Sequence, residues 1–509
     1  MSTPLHTRRR SAAVEVPARL HDAAQTRALD REAIAAGISG FELMRRAGAA
    51  AFALIRQRWP KARRIRVFCG GGNNGGDGYV VAALASRAGL TVEALAFKSP
   101  ETLTGEAADA VAMAREAGVA ILDGETGLDQ PFAADLLVDA LLGTGAKGAP
   151  RGVYQRAVEA INQDAAPVLA IDLPSGVDAD TGMAEQAVNA ALTVSFIARK
   201  FGLYTGLAAD YVGERFFDDL GLDPRLLASG EALGRLLEPA MLAEHLPPRL
   251  PSSHKGHTGH LLVVGGRPGY GGSTIMVSEA AARVGAGLVS LATDACHLAA
   301  ALARRPELMV RGVRSGLEIG DLLEAADAVA IGPGLGQGAW GQGLFDKVLE
   351  RPGPRVIDAD ALHLLESRYA GLRRDDWVLT PHPGEAAMML GCKASQVQAD
   401  RLAAARELWR RRGGVIVLKG NGTLVVAGEN ETDVALCPYG NPGMASGGMG
   451  DVLGGMISGL LVQGLSPFDA ACAGVLVHAL AADEAARVGG ERGLLAGDLA
   501  SFARRMVNP

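Results

Sequence analysis

The sequence predicts an α/β protein made of two tandem three-layer αβα domains. Short β-rich runs alternate with helix-patterned stretches in both halves, which implies mainly parallel sheets with helices on both faces. The rhythm breaks around Leu222 to Ser253, where Glu238 to Ser253 holds four prolines in 16 residues, and then restarts. A chain of 509 residues is too long for one ordinary core, which agrees with a division. The expected parts are a disordered leader over 1–17, a first domain over 18–225, a linker over 226–252 and a second domain over 253–509.

Leu20 to Gly37 and Phe41 to Trp59 read as helices. The strand Ile65 to Cys69 leads into a turn, Gly70 to Gly78, and a helix from Tyr79 to Ala88. Thr91 to Phe97, Leu136 to Ala140 and Val168 to Ile171 are the next strands, separated by helices at about 105–117 and 153–163. The second half opens with the strand His260 to Val264. It continues through Gly287 to Ala292, Ala328 to Ile331, Arg355 to Asp358, Trp377 to Leu379 and Val415 to Leu418, with helices between. In such folds ligands sit beyond the carboxyl ends of the strands.

A net charge of −6 gives no bulk attraction to nucleic acid or an anionic membrane. Arg8 to Arg10 is followed by no apolar run of signal-peptide length, and no apolar stretch reaches the roughly 18 residues of a membrane span. The expectation is a cytoplasmic protein with no nucleic-acid or membrane partner. Five scattered cysteines without a CxxC pair point away from zinc ribbons and disulfide frameworks. Cys69 reads as a buried small hydrophobe rather than a nucleophile.

Three segments of the first half follow predicted strands. Gly70-Gly-Gly-Asn-Asn-Gly-Gly-Asp-Gly78 has neither the lysine of a P-loop nor the spacing of the dinucleotide fingerprint. Its glycines would still let backbone N–H groups approach a diphosphate, with Asn73, Asn74 and Asp77 alongside. The plainer reading is a tight turn with helix-capping residues. Asp139-Ala-Leu-Leu-Gly-Thr-Gly-Ala-Lys-Gly148 and Asp172-Leu-Pro-Ser-Gly-Val-Asp178 follow the next two strands, so all three should meet in one cleft. Asn74, Asp139 and Ser175 offer only oxygen ligands, which suit a hard cation. Lys200 either orients an anionic group or is a solvated surface lysine.

The second half holds Asn441-Pro-Gly-Met-Ala-Ser-Gly-Gly-Met-Gly-Asp451 ahead of a helix-like stretch, Val452 to Leu461. A glycine-rich turn entering a helix presents free N–H groups and the positive end of the helix dipole, which is a phosphate site. An aspartate at its last position can take a proton from a hydroxyl about to attack a phosphoryl group. Asp451 is therefore the candidate general base of a small-molecule phosphotransferase. Ile331-Gly-Pro-Gly-Leu-Gly336, Asp358-Ala-Asp360, Thr380-Pro-His-Pro-Gly-Glu385 and Lys419-Gly-Asn-Gly-Thr423 lie at further strand ends. The last looks like a β-turn that offers N–H groups, a hydroxyl and a cation to a nucleotide phosphate. His382 alone is equally readable as a satisfied turn histidine.

These segments resemble two known families. GGNNGGDG, DALLGTG, DLPSG and a lysine after a TVSF strand are similar to the NAD(P)H-hydrate epimerase domain over about 18–220. GPGLG, TPHPGE, KGxGT and SGGMGD resemble the ADP-dependent NAD(P)H-hydrate dehydratases of the ribokinase-like superfamily over about 235–502. Their fusion is the layout of the bifunctional repair enzymes for hydrated NADH and NADPH, here NADHX and NADPHX. The resemblance implies a Rossmann-like first domain that interconverts the R and S epimers. It implies a ribokinase-like second domain that dehydrates the S epimer with ADP, giving NAD(P)H, AMP and phosphate.

Carried over by motif, Asn73, Asn74, Gly75, Gly76, Asp77, Gly143, Thr144, Gly145, Ala146, Lys147, Gly148, Ala149 and Asp172 would contact the hydrate in the epimerase. Asn74, Asp139 and Ser175 would hold K+. In the dehydratase, Gly334, His382, Asp451 and Gly336 would contact the hydrate, and Lys419, Gly420, Asn421, Gly422, Thr423 and Gly450 would hold ADP. The N–H groups of Gly447, Gly448 and Gly450 would stabilise the transferring phosphoryl group. Mg2+ is expected, with Glu385 and Asp358 as candidate ligands. Asp77 is the acid–base candidate of the epimerase, with Asp172 and Lys200 as rivals. Asn421-Gly422 varies the lysine loop and is expected to be harmless. NADHX, NADPHX and ADP are the expected small-molecule partners, and a homo-oligomer is the expected assembly. The alternatives are a vitamin or sugar kinase, and a noncatalytic first domain that binds a nucleotide or RNA.

Overall fold

The computed structural model describes residues 18–509, so the leader expected over 1–17 lies outside the described residues. The first sheet has seven strands, all parallel. Their spatial order is Ala120–Asp123, Thr91–Ala96, Arg64–Cys69, Leu136–Ala140, Val168–Ile171, Leu192–Phe196 and Glu214–Asp218. Chain order reverses between Arg64–Cys69 and Leu136–Ala140. The connections leaving these two neighbours diverge, and a crevice opens at their carboxyl ends. The strands are buried on both faces: Ile65, Val67 and Val138 pack with helices Gly40–Arg58 and Asn73–Arg87, and Phe68 and Leu137 with helix Val153–Gln163.

Two boundaries differ from expectation. The helix expected from Leu20 starts at Ala23, and Arg19–His21 is a strand. Asp22 separates them with a capping box: its carboxylate accepts the Gln25 N–H at 2.7 Å, and Gln25 Oε1 accepts the Asp22 N–H at 3.0 Å. The turn expected through Gly78 ends at Gly72, because the helix already begins at Asn73. Glycine disfavours helix interiors, but here packing overrides propensity. A Cβ on Gly75 would lie 2.0 Å from the Gly70 carbonyl oxygen, and one on Gly78 would lie 2.6 Å from Ala140 Cβ.

The second sheet has twelve strands. Seven parallel ones run Met309–Gly312, Leu288–Thr293, His260–Val264, Ala328–Ile331, Arg355–Ile357, Trp377–Leu379 and Val415–Leu418. Thr423–Val426 and Val434–Cys437 continue antiparallel. Alternation divides the core: Leu262, Val264, Leu379 and Leu418 face one layer with Leu362, Leu365 and Leu408, while Leu261, Val263, Val378 and Val417 face the other with Val277, Ile457 and Leu476. This domain also has its switch point, between His260–Val264 and Ala328–Ile331.

The sheet does not end with its own domain. Gly234–Leu236, Arg19–His21 and Arg199–Lys200 extend it beyond Val434–Cys437. Residues 226–252, expected as a linker, therefore hold a paired strand as well as helix Met241–His245. Among the described residues no helix is long and apolar enough to cross a membrane.

Candidate active sites

The first cleft is a cavity of about 250 Å³ at the switch point of the seven-stranded sheet. It is lined by Asn73, Asn74 and Asp77 from the helix after Arg64–Cys69, by Gly143 and Thr144 after Leu136–Ala140, and by Asp172 and Lys200 from later strand ends. The first intrahelical bond runs from Gly76 N to Gly72 O, 3.1 Å, which leaves the N–H groups of Asn73, Asn74 and Gly75 at the helix mouth. Gly75 and Gly76 are buried, and Gly145 to Ala149 lie outside the cavity lining. Lys147 instead donates to Asp180 at 2.6 Å and Asp178 at 3.2 Å, which raises its pKa and ties two loops together.

Lys200 is not a surface lysine: it is buried, donates to Phe196 O at 2.8 Å and Ser195 Oγ at 3.1 Å, and is ion-paired with Asp172. Burial, followed by the charges of Asp172 and Asp30, pushes the Asp77 carboxyl well above the ordinary carboxylate range, with Lys200 opposing. Asp30, absent from the residues expected here, lines the same cavity and is also raised by burial. Its signal was weak: Thr26, Asp30 and Ile34 stand four residues apart on one side of helix Ala23–Ala35 and all line the cavity.

A polar knot lies beside this cleft. Asp139 accepts Ser175 Oγ at 2.6 Å and Ser175 N at 2.7 Å, and burial pushes its carboxyl up to about 6. Asn74 Nδ2 donates to Leu142 O at 3.0 Å, while Asn74 Oδ1 is buried with no partner. A buried amide oxygen left empty is costly. The donor set of Asn74, Asp139 and Ser175 is all oxygen and fits a hard cation.

The second cleft is built around Asp451, third residue of helix Met449–Leu461, which Gly448 enters at φ +89°. Burial, followed by the charge of Asp358, pushes Asp451 up to about 6; a Ser273 hydroxyl and Lys419 act the other way. Lys419 Nζ lies 2.8 Å from Asp358 Oδ1 and 3.7 Å from Glu385 Oε2, and this pairing raises its pKa over the opposing effect of burial. A Cβ on Gly450 would stand 3.3 Å from Lys419 Nζ, so the lysine, the glycine and the helix mouth share one space.

His382 does cap a helix. Its Nδ1 accepts the N–H groups of Gly384 (3.0 Å) and Glu385 (3.3 Å), and Glu385 Oε2 accepts the His382 N–H at 2.8 Å. This leaves Nε2 on an exposed ring edge, 3.4 Å from Glu385 Oε1. Gly334, at φ +59°, passes close to Tyr270, and its carbonyl accepts the Arg267 N–H at 2.7 Å. Sequence reasoning missed this partner turn, Gly265 to Gly271. Its glycines follow the first strand of the second domain, as Gly70 to Gly78 follow that of the first.

Backbone strain marks both clefts independently of any motif. Four non-glycine residues among the described ones have positive φ. Asp172 (+68°), Ile197 (+64°) and Leu220 (+55°) line the first cavity, and Ala359 (+49°) follows Asp358 in the second cleft. Such conformations persist where the surrounding structure over-determines them, and they cluster at functional sites.

The family profile described as NAD(P)H-hydrate dehydratase matches residues 261–504, and that described as YjeF-related protein N-terminus matches residues 40–202. The bifunctional NAD(P)H-hydrate repair enzyme Nnr of Coxiella burnetii is 47% identical over 493 residues, 96% of this chain and 99% of that one. The enzyme of the same name from Escherichia coli is 46% identical over 509 residues, 99% of this chain and 96% of that one. Among solved structures, a ribokinase-like superfamily protein from Enterococcus faecalis aligns with TM-score 0.50 and 30% identity over 54% of this chain and 95% of its own. An ADP/ATP-dependent NAD(P)H-hydrate dehydratase from Bacillus subtilis, co-crystallised with ATP/Mg2+, aligns with TM-score 0.47 and 30% identity over 53% of this chain and 96% of its own. With both domains present in order and relatives of this identity matched along nearly their full length, the chain belongs to the bifunctional NAD(P)H-hydrate repair enzymes, an epimerase domain followed by a dehydratase domain.

Proposed function

We propose that the second domain dehydrates S-NADHX and S-NADPHX at the expense of ADP, and that the first interconverts the R and S epimers so that both are repaired. The observation that carries the dehydratase reading is the Asp451 carboxyl, pushed up to about 6, at a helix mouth shared with Lys419 and Gly450. Asp451 takes the proton of the C6 hydroxyl as that oxygen attacks the terminal phosphorus of ADP. The N–H groups of Gly447, Gly448 and Gly450 receive the charge on the transferring group, and AMP departs. The ring nitrogen lone pair then expels phosphate from C6, and loss of a C5 proton restores the double bond. Gly334 and the Nε2 edge of His382 hold the hydrate. Lys419, Gly420, Asn421, Gly422, Thr423 and Gly450 hold the nucleotide.

Asp358 and Glu385 both turn to Lys419, and among the described residues no cluster of three His, Cys, Asp or Glu side chains could hold a metal. Magnesium would arrive with the ADP phosphates, and one or both of these carboxylates are its candidate protein ligands.

In the first domain, the raised Asp77 carboxyl is the acid–base group at C6. The ring nitrogen lone pair expels the C6 hydroxyl, which leaves as water with the Asp77 proton, and water adds back to either face of the imine carbon as Asp77 recovers the proton. The Asp172 and Lys200 pair fixes the opposite wall. Asn74, Asp139 and Ser175 would hold potassium, whose charge would neutralise the buried carboxylate and lock the two loops. The kinase alternative is tested by phosphorus NMR of the products. AMP and inorganic phosphate, with the nicotinamide absorbance restored, support the dehydratase; an accumulating phosphate ester of the acceptor contradicts it.

A further inference from the structure

The proposed nucleotide loop, Lys419 to Thr423, is a hairpin of the second domain, yet part of its support comes from the first. Thr205 is 1% exposed. Its hydroxyl lies 3.4 Å from Asn421 O and 3.5 Å from Gly422 O. Asn421 Nδ2 donates to Gly206 O at 2.8 Å, which gives a partner to the variant residue of the loop. Gly422 runs so close to the first domain that a Cβ would sit 2.1 Å from the Tyr204 carbonyl oxygen.

Behind the hairpin stands Arg401, 1% exposed and without a carboxylate partner among the described residues. Its Nε donates to Thr205 Oγ1 at 3.0 Å and its Nη1 to Gln398 Oε1 at 2.7 Å. Its Nη2 reaches the carbonyls of Leu418 (3.2 Å), Lys419 (3.3 Å) and Gly422 (3.4 Å). A buried guanidinium without a counter-charge is expensive and persists where its geometry is needed. Here it gathers three carbonyls to the rear of the hairpin. The N–H groups of Gly420, Asn421 and Gly422 are left for the front, while the Lys419 N–H is taken by Pro381 O at 2.9 Å and Lys419 Nζ pairs with Asp358.

We propose that Thr205 and Arg401 are positioning residues for the dehydratase, so that the epimerase domain completes the ADP site of its neighbour. The inference rests on reading Lys419 to Thr423 as the nucleotide loop. The test uses the full-length protein, with calorimetric titration of ADP and magnesium alongside steady-state kinetics on S-NADHX. Thr205→Val removes the hydroxyl and keeps the shape. It should weaken ADP binding and raise the ADP KM by about five- to tenfold, the effect of losing the buried hydroxyl that joins Arg401 to the loop carbonyls. The kcat and the KM for S-NADHX should stay within about twofold, because neither group touches the hydrate.

Thr205→Ser should restore wild-type affinity. Arg401→Lys should weaken ADP binding further, and adding Thr205→Val to it should cost less than it does alone, since both act through one contact. If Arg401→Lys fails to fold, the valine and serine pair still decides. An ADP affinity unmoved by Thr205→Val, or a serine variant as weak as the valine, overturns the proposal. A wild-type protein that binds no ADP sinks the nucleotide reading itself and this inference with it.

Discussion

The proposed general base Asp451 is held in a position that costs stability. Its carboxyl is raised from an ordinary 3.8 to about 6, so the ionised form is worse off folded than unfolded. The penalty is absent below the unfolded value near 4, grows as pH rises and is full above about 6. Asp451→Asn should therefore stabilise the fold by about 2–3 kcal/mol at pH 8 and by about half that at pH 5. Urea unfolding at the two pH values checks this; an equal effect at both would contradict the assignment. The same variant should lose about 10²–10⁴-fold in dehydratase turnover. In the wild type, dehydratase kcat/KM should fall about tenfold per pH unit below about 6 and level off above it. Asp451 and Asp77 were legible in the sequence because each sits among glycines in the first turns of a helix. Asp30 was not, because one acid on an amphipathic helix looks like any solvated face. Lys200 was ambiguous for a related reason: only the fold shows that a residue after a strand is buried against Asp172.

At the scale of elements, glycines that read as a flexible phosphate turn prove to be packing positions as well. Gly75→Ala would press a methyl into the Gly70 carbonyl, whereas nothing lies within 4 Å of a Cβ on Gly72. The first substitution should cost about 1–3 kcal/mol or more, and the second less than about 1 kcal/mol. Thermal unfolding of the pair separates a packing role from a turn role; equal losses would contradict the former. The buried central strands were readable as apolar runs. The edge strands Met309–Gly312 and Glu214–Asp218 were not, because partial exposure leaves them no continuous apolar run. The start of helix Asn73–Arg87 was hidden because helix propensity argues against Gly75 and Gly76, and only their neighbours explain them.

On the scale of the whole molecule, the two domains are interleaved rather than strung together. Arg19 makes a two-pronged contact with Glu431, Nε to Oε1 at 2.5 Å and Nη2 to Oε2 at 2.6 Å, and donates to the carbonyls of Leu227, Ala228 and Gly230. Two- and three-residue strands pairing across hundreds of residues leave no pattern in a sequence, so the expected linker hid a shared sheet. One calorimetric unfolding transition is predicted, where independent domains would give two. Arg19→Ala should lower stability by about 1–3 kcal/mol, since it strips a partly buried pair and three carbonyl contacts. The central claim, two activities that repair both epimers, is tested most directly on a mixed R and S NADHX sample. The measurement is the recovery of reduced-nicotinamide absorbance with ADP, magnesium and potassium, for the wild type and Asp77→Asn. Full recovery by the wild type and arrest of the variant at the S fraction is the predicted result. Full recovery by both at one rate would remove Asp77 from the epimerase, and no recovery by the wild type would contradict the account as a whole.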